Sequence, residues 1–275
     1  MPGQVPVHFA KSLCTGIPGL IHGFTGALTD PPGAHFGSAV EAHLRLRLGS
    51  RAPRVHWLLQ RHSAVVLPVP LAPDADGSNP AALSIGDGTI GEGAMGEGDG
   101  AVLAGGQAGV AAIQSADCVP VLALDEASGA AAALHAGWRG TALGILPVLP
   151  QSWAGEGASP GRMRLAFGPA IRACCYEVKT DCLARFDPAH LAGAVETRDG
   201  RTYLELTAVL RNQAIALGVS ASNIEVLPQC TYCHADSGGN RPFASYRREG
   251  RPGEPFPYRN LSYIGFAGAS AGQRK

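Results

Sequence analysis

The 275-residue sequence predicts an α+β fold, with mixed or antiparallel sheets and helices outside them. Three observations lead there. Strand-like apolar runs outnumber helical ones, several of those runs are joined in pairs by short turn sequences, and one segment has clean helical spacing. No internal repeat is visible, which argues against a solenoid.

Taken in order, VEAHLRLRL (40–48) alternates as a strand does yet also suits a short helix. RVHWLLQRHSAVVLPV (54–69) reads as strand material ending at Pro68. From Pro70 to Gly100 the composition turns to Gly, Ala, Pro and Asp, so residues 72–98 are expected to be a glycine-rich mobile insertion outside the core. VPVLALD (119–125) and AAALHAG (131–137) then form two buried strands around the turn residues EASG (126–129). After FGPAIRACCYEV (167–178), a short helix near TDCLARF (180–186) is stopped at Pro188. ETRDGRTYLEL (196–206) is a hairpin with an Asp-Gly turn. TAVLRNQAIALG (207–218) is a helix with Gly218 at its C-terminal cap, and NIEVLP (223–228) resumes a strand.

Bulk properties exclude several classes. The chain is 45% hydrophobic, enough to bury the core of a single domain spanning residues 1–275. Lys+Arg and Asp+Glu are both 22, and no basic stripe marks a nucleic-acid footprint. The N-terminus lacks a basic stretch leading into an apolar one, and no apolar run reaches the roughly 18 residues of a membrane span. The expected location is the cytoplasm. Seven cysteines are an odd number in a chain too long to need staples, so reduced thiols are expected.

The chemistry starts at the 119–137 hairpin. If its strands fold back symmetrically about Glu126 and Ala127, Cys118 lies opposite His135, and directly opposed side chains have Cβ atoms about 4.5 to 5.5 Å apart. A thiol and an imidazole in one small volume are two ligands of one metal, a nucleophile with its base, or a packed cysteine beside a strand-end histidine. A catalytic zinc usually has three protein ligands, and the other histidines at 8, 22, 35, 43, 56, 62, 190 and 234 are the candidates for the third. His62, at the end of an apolar strand and before a polar residue, ranks slightly above the rest.

Other motifs fail on context. GDGTIG (86–91) has the glycine spacing of a dinucleotide loop but no strand leads into it. CTYCH (230–234) looks like a haem attachment or half a zinc site, yet no second C-x-x-C exists to complete it, so Cys230, Cys233 and His234 are expected to hold no metal of their own. Cys174 and Cys175 point apart if their segment is extended, and read as structural thiols.

The stretches QRHS, SADCVPVLALD, LHAGWRG, FGPAIRACCYEV, and CTYCH followed by FASYRR are together similar to the laccase-domain family. That family is named for multicopper polyphenol oxidases, was later described as zinc-dependent purine nucleoside phosphorylases, and includes a peptidoglycan editing factor. The resemblance covers residues 55–68 and 98–250. It implies two mixed sheets packed together with helices outside, as in cysteine-hydrolase toxins, in one domain. It further implies a metal held by His62, Cys118 and His135, zinc in the first instance and copper as the alternative, with Cys118 and His135 also catalytic. The substrates so implied are phosphate and adenosine, inosine or methylthioadenosine, with adenosine deamination as an added activity. Arg139 and Arg247 are candidates for holding phosphate, because a guanidinium is a planar donor fork. The rival readings are a Cys118/His135 amidase acting on a cell-wall precursor and a copper phenol oxidase. The oxidase fits worst, since no His-x-His occurs. The family's N-terminal Ser-x-Asn-Leu stretch is not recognisable around GAHFGSAVEAH (33–43), and Pro147 and Pro150 interrupt a segment that is helical in the family.

Overall fold

The computed structural model describes residues 7–14, 16–29, 42–46, 49, 53–70, 94–153, 155, 157–254 and 256–267. Two mixed sheets of six strands and one of three carry the fold. The first large sheet runs β1 (Val7–His8), β2 (Leu20–Thr29), β15 (Tyr258–Phe266), β7 (Gly109–Ser115), β3 (Val55–Leu59) and β5 (Ala94–Glu97). The second runs β14 (Ile224–Val226), β10 (Met163–Phe167), β8 (Val119–Asp125), β9 (Ala131–Ala136), β6 (Gly100–Leu103) and β4 (Val66–Pro68). β11 (Glu177–Val178), β13 (Arg201–Leu204) and β12 (Val195–Arg198) form the small sheet.

The alternation of side chains along β8 and β9 explains the layers. Leu122, Leu124, Ala131 and Ala133 join Phe24, Ala111, Ile113 and Ile264 of the first sheet in one apolar layer. Their neighbours Val121, Ala123, Ala132 and Leu134 face the other way, onto Trp153, Leu206, Val209 and Leu210. β8 and β9 are therefore buried on both faces, which is why their sequence is continuously apolar. Alanine is a poor strand former in isolation. In β9 its small side chain suits a central strand packed on both sides.

The helix at Leu206–Ala216 covers the outer face of the second sheet and ends as expected, with Gly218 at φ +95°. The Asp-Gly turn carries Asp199 at φ +49° and Gly200 at φ +72°, the left-handed pair that a tight hairpin turn requires. Thr180–Leu183 is the short helix before Pro188. Residues 42–46 are helical with Leu44 buried, which resolves the ambiguous stretch at 40–48. Pro150 sits in the first turn of a short helix, Leu149–Ser152, where its missing N–H costs nothing.

The run 54–69 is strand material ending at Pro68, as read, divided into two strands, β3 and β4, that belong to different sheets. The chain leaves the first sheet at Gln60, whose side-chain amide bonds the backbone of Gln114 in both directions. Two expectations need correction. The glycine-rich insertion was expected to reach residue 98, but Ala94–Glu97 is β5, paired in parallel with β3. Residues 71–93, including GDGTIG, lie outside the described residues, as do residues 33–41 of GAHFGSAVEAH. Finally, the hairpin register pairs Val119 with Ala136 and Pro120 with His135, so Cys118 is displaced by two positions from the facing place predicted for it. The cause is a turn centred one residue later. The Asp125 carboxylate accepts from the Ala127 and Ser128 N–H groups, and Gly129 closes the loop at φ +71°. A shift of two keeps every side chain on its predicted face.

Among the described residues, no helix is long and apolar enough to cross a membrane.

Candidate functional site

His135 on β9 has the same parity as Ala131 and Ala133, so it turns toward the first sheet at the end of the apolar layer. There it meets a buried carboxylate. Asp99, immediately before β6, has no exposed surface and accepts a hydrogen bond from His135 Nδ1 at 2.8 Å. A carboxylate only accepts, so Nδ1 carries a proton, and Nε2 presents its lone pair to a metal once the proton on that side is displaced.

Asp99 also organises the next residue of the site. Its Oδ1 accepts from His62 N at 3.0 Å, and its Oδ2 accepts from Arg61 N at 3.1 Å, Ser63 N at 2.6 Å and Ser63 Oγ at 2.7 Å. Three successive N–H groups converge on one anion. The backbone bends to allow it, with His62 at φ +59°, a left-handed conformation uncommon for a residue with a side chain. One carboxylate thus fixes the ring orientation of His135 and the backbone that presents His62. The two rings lie edge to face with centroids 4.9 Å apart.

Cys118 completes the group. The donor atoms of His62, Cys118 and His135 all lie within 4.8 Å of one another. Gly137, at the N-terminus of the short helix Trp138–Ala142, leaves room for them: a Cβ there would stand 2.9 Å from both Cys118 Sγ and His62 Cδ2. Burial pushes the Cys118 thiol up, but His135 and His62 beside it outweigh that and bring its pKa down to about 6. Burial opposes charge on His135 as well, yet the thiolate and Asp99 raise its pKa to about 9. Asp99 is held far below the usual carboxylate range: burial pushes it up, and its bonds from His135 and Ser63 more than reverse that.

The donor set suits a metal. Two imidazoles and a thiolate are borderline-soft ligands, and a tetrahedral zinc with bonds of about 2.0 to 2.3 Å needs donors about 3.3 to 3.8 Å apart, within reach of the observed cluster. His62 is exposed and Cys118 half-buried, so the side away from Asp99 is open to a small molecule.

The two arginines are placed differently. Arg247 is tied to the residue that precedes Cys118: its backbone N–H donates to Asp117 Oδ2 at 2.6 Å, its Nη1 to Glu177 O at 3.1 Å, and its guanidinium lies 5.3 Å over the Tyr176 ring. Buried Tyr176 is itself within electrostatic reach of Cys118 and Asp117. Arg139 stacks 4.4 Å over Trp138 and makes no ion pair with a carboxylate among the described residues. Of the other candidate histidines, His22 is bonded to Ala10 O, and His8 and His234 lie against Phe243, while His35 is outside the described residues.

Sequence reasoning missed Asp99 and Asp117. Asp99 stands in GEGDG at the edge of a glycine-rich stretch, and the one signal was an acidic residue directly before a buried strand. Asp117, at φ +91°, accepts from Thr231 Oγ1 at 2.7 Å as well as from Arg247 N, which ties three distant segments together behind Cys118.

A protein of two packed mixed sheets, with an open His/Cys/His site that could bind a metal at their edge, is the class that fold and site define. The chain belongs to the family described as multi-copper polyphenol oxidoreductase laccase, which it matches over residues 38–258. It is 34% identical over 228 residues to purine nucleoside phosphorylase SCO2081 of Streptomyces coelicolor, covering 82% of this chain and 81% of that protein. It is 34% identical over 161 residues to adenosine deaminase RL5 of an unknown prokaryotic organism, covering 57% of this chain and 60% of that protein. The hypothetical protein YfiH of Bacillus licheniformis has a similar crystal structure, with TM-score 0.68 and 27% identity over 90% of this chain and 92% of that one.

Proposed function

We propose that this chain is a metal-dependent purine nucleoside phosphorylase: phosphate displaces the base at C1′ of a nucleoside such as adenosine or inosine. The observation that carries the reading is the convergence of His62, Cys118 and His135 on one point, with the Asp99 bond engaging His135 Nδ1 and leaving Nε2 for a metal. The relative of that name, matched over 82% of the chain, supports the same activity. His62, Cys118 and His135 hold the ion, which we take to be zinc. When bound, the ion supplies a Lewis acid that polarises a substrate oxygen or lowers the pKa of a water.

The chain's own residues do the rest. Asp99 keeps the proton on His135 Nδ1 and so holds the ring in its binding tautomer. Arg247, fixed by Asp117 and the Glu177 carbonyl, offers its remaining donors to phosphate beside Cys118. Arg139 offers a second, exposed guanidinium.

Adenosine deamination is a second reading, favoured by the relative bearing that name. Cys118, His135 and Asp99 alone would also resemble a thiol hydrolase triad. A hydrolase has no use for His62 against the same sulfur, which favours the metal enzyme. Incubation with adenosine, with and without phosphate, tests the proposal. Phosphate-dependent formation of adenine and ribose 1-phosphate is expected, inosine would select deamination, and no product from either would overturn both.

A further inference from the structure

We propose that Cys174, Cys175, Cys230 and Cys233 form a second metal site, of structural type, that holds one zinc ion through four thiolates. The four sulfurs all lie within 4.8 Å of one another, and Cys174 Sγ stands 3.6 Å from Cys233 Sγ. A tetrahedral zinc with Zn–S bonds of about 2.3 Å places its sulfurs about 3.8 Å apart. The spacing therefore matches one ion. A disulfide would join a single pair and leave the other two thiols crowded without a partner.

The fold brings these residues together by pairing their parent strands. β10 and β14 run side by side in parallel, so the loops that follow them emerge at the same end. The pairing continues past both strands as a bridge between Ala170 and Cys230, with Thr231 N bonded to Ala170 O at 3.0 Å. Cys174 and Cys175 do not point apart as an extended segment would make them. They sit in a tight turn in which the N–H groups of Cys175 and Tyr176 both donate to Arg172 O, at 2.8 and 2.9 Å. The turn supplies the second half of the site that the C-x-x-C of CTYCH lacked.

Arg198 bonds Ala173 O at 2.7 Å, and the cleft of about 510 Å³ beside the cluster is lined by Arg172, Arg198 and His234 together with Glu205 and Glu196, which pair with the two arginines. Cys230 is buried while Cys174 and Cys233 are exposed, so the ion is anchored from below and reachable from solvent. Its structural effect follows from Asp117, whose carbonyl accepts from Ile171 N at 3.0 Å and whose carboxylate accepts from Thr231 Oγ1 at 2.7 Å. Both cysteine loops thus brace the residue that precedes Cys118.

This proposal is independent of the catalytic reading, and metal content tests it. Protein kept reduced, loaded with zinc and freed of excess should carry two equivalents per chain. Cys174→Ser and Cys233→Ser should each lower this to one, and so should Cys118→Ala. Cobalt substitution separates the two sites: a four-thiolate site gives intense sulfur-to-cobalt charge-transfer bands in the wild type that should survive Cys118→Ala. If a serine variant fails to fold, alkylation of wild-type protein decides, with all four cysteines protected until a chelator is added. Zinc content that neither Cys174→Ser nor Cys233→Ser lowers, absence of the four-thiolate cobalt bands, or four cysteines that alkylate equally with and without chelator would each overturn the proposal.

Discussion

Replacing Asp99 by asparagine changes one oxygen to an amino group and nothing else in shape. In the wild type, Oδ1 accepts from His62 N and His135 Nδ1, and Oδ2 accepts from Arg61 N, Ser63 N and Ser63 Oγ. Either orientation of the amide sets its N–H groups against at least two donors. A hydrogen bond to a charged group contributes about 1.5 to 3 kcal/mol, so two lost bonds give about 3 to 6 kcal/mol as an upper bound. Relaxation of Ser63 and a change of His135 tautomer recover part of this, and a loss of about 3 kcal/mol is the expected result. The tautomer change has its own cost, because a proton moved to Nε2 occupies the lone pair needed by a metal. Outer partners of this kind typically control metal affinity by about 10- to 100-fold. Competition against a chromophoric chelator reads the affinity, and denaturant unfolding of metal-free protein reads the stability. The acid limb adds a sign. A carboxylate whose pKa is depressed on folding contributes its full stability above the unfolded value of about 3.9 and loses it as pH falls below. The carboxylate's share of the gap between wild type and Asp99→Asn should therefore narrow below about pH 4, while the share carried by His135, whose pKa Asp99 helps raise to about 9, should be full below about pH 6.5 and be lost as pH rises toward 9. An asparagine variant with wild-type metal affinity and stability would refute the role assigned to Asp99.

Other outcomes follow from the same geometry. In metal-free protein, alkylation of Cys118 should rise with a midpoint near pH 6, where its neighbours bring the thiol pKa, and zinc should suppress it; a midpoint near the ordinary value of about 8.5 would contradict the thiolate pairing. Gly137→Ala places a methyl 2.9 Å from Cys118 Sγ and His62 Cδ2 at an ordinary φ of −73°, so chelator titration should show a metal affinity lower by about tenfold, or ~1.4 kcal/mol, with the melting temperature nearly unchanged. Arg247→Ala should raise the KM for phosphate by about tenfold, with a smaller effect from Arg139→Ala, whose guanidinium stacks on Trp138; steady-state kinetics at varied phosphate would show the reverse order if the assignment is wrong.

What was legible in the sequence was whatever short-range chemistry determines. The helix at Leu206–Ala216 and the Asp199-Gly200 turn are written in periodicity and in residues that tolerate positive φ, and both are where the pattern placed them. β8 was equally plain, because a run buried on both faces leaves a continuous apolar string. The split of 54–69 was not legible: both halves are apolar, and only the Gln60 and Asp99 bonds to distant segments show where the chain changes sheets. The same limit hid the four-cysteine cluster, whose halves are joined by parallel pairing of β10 with β14. Cys118 and His135 could be set side by side from one hairpin, and that hairpin survived a register error because a shift of two preserves the face. His62 depended on the family resemblance, since no local pattern singles out one histidine at a strand end.

The hairpin also sets the order in which the site can assemble. β8 and β9 are joined by a four-residue turn, so Cys118 and His135 meet through a local closure, the kind that takes microseconds. Asp99 comes to His135 from 36 positions away, and His62 comes to Asp99 from 37, which makes their arrival a long-range event with a larger closure entropy. During synthesis β6, next to Asp99, waits for the hairpin to leave the ribosome before it has β9 to pair with. The nascent chain thus passes through a stage with two donors and no carboxylate to orient them, and tight metal capture becomes a property of the finished sheet, acquired only when β6 docks beside β9.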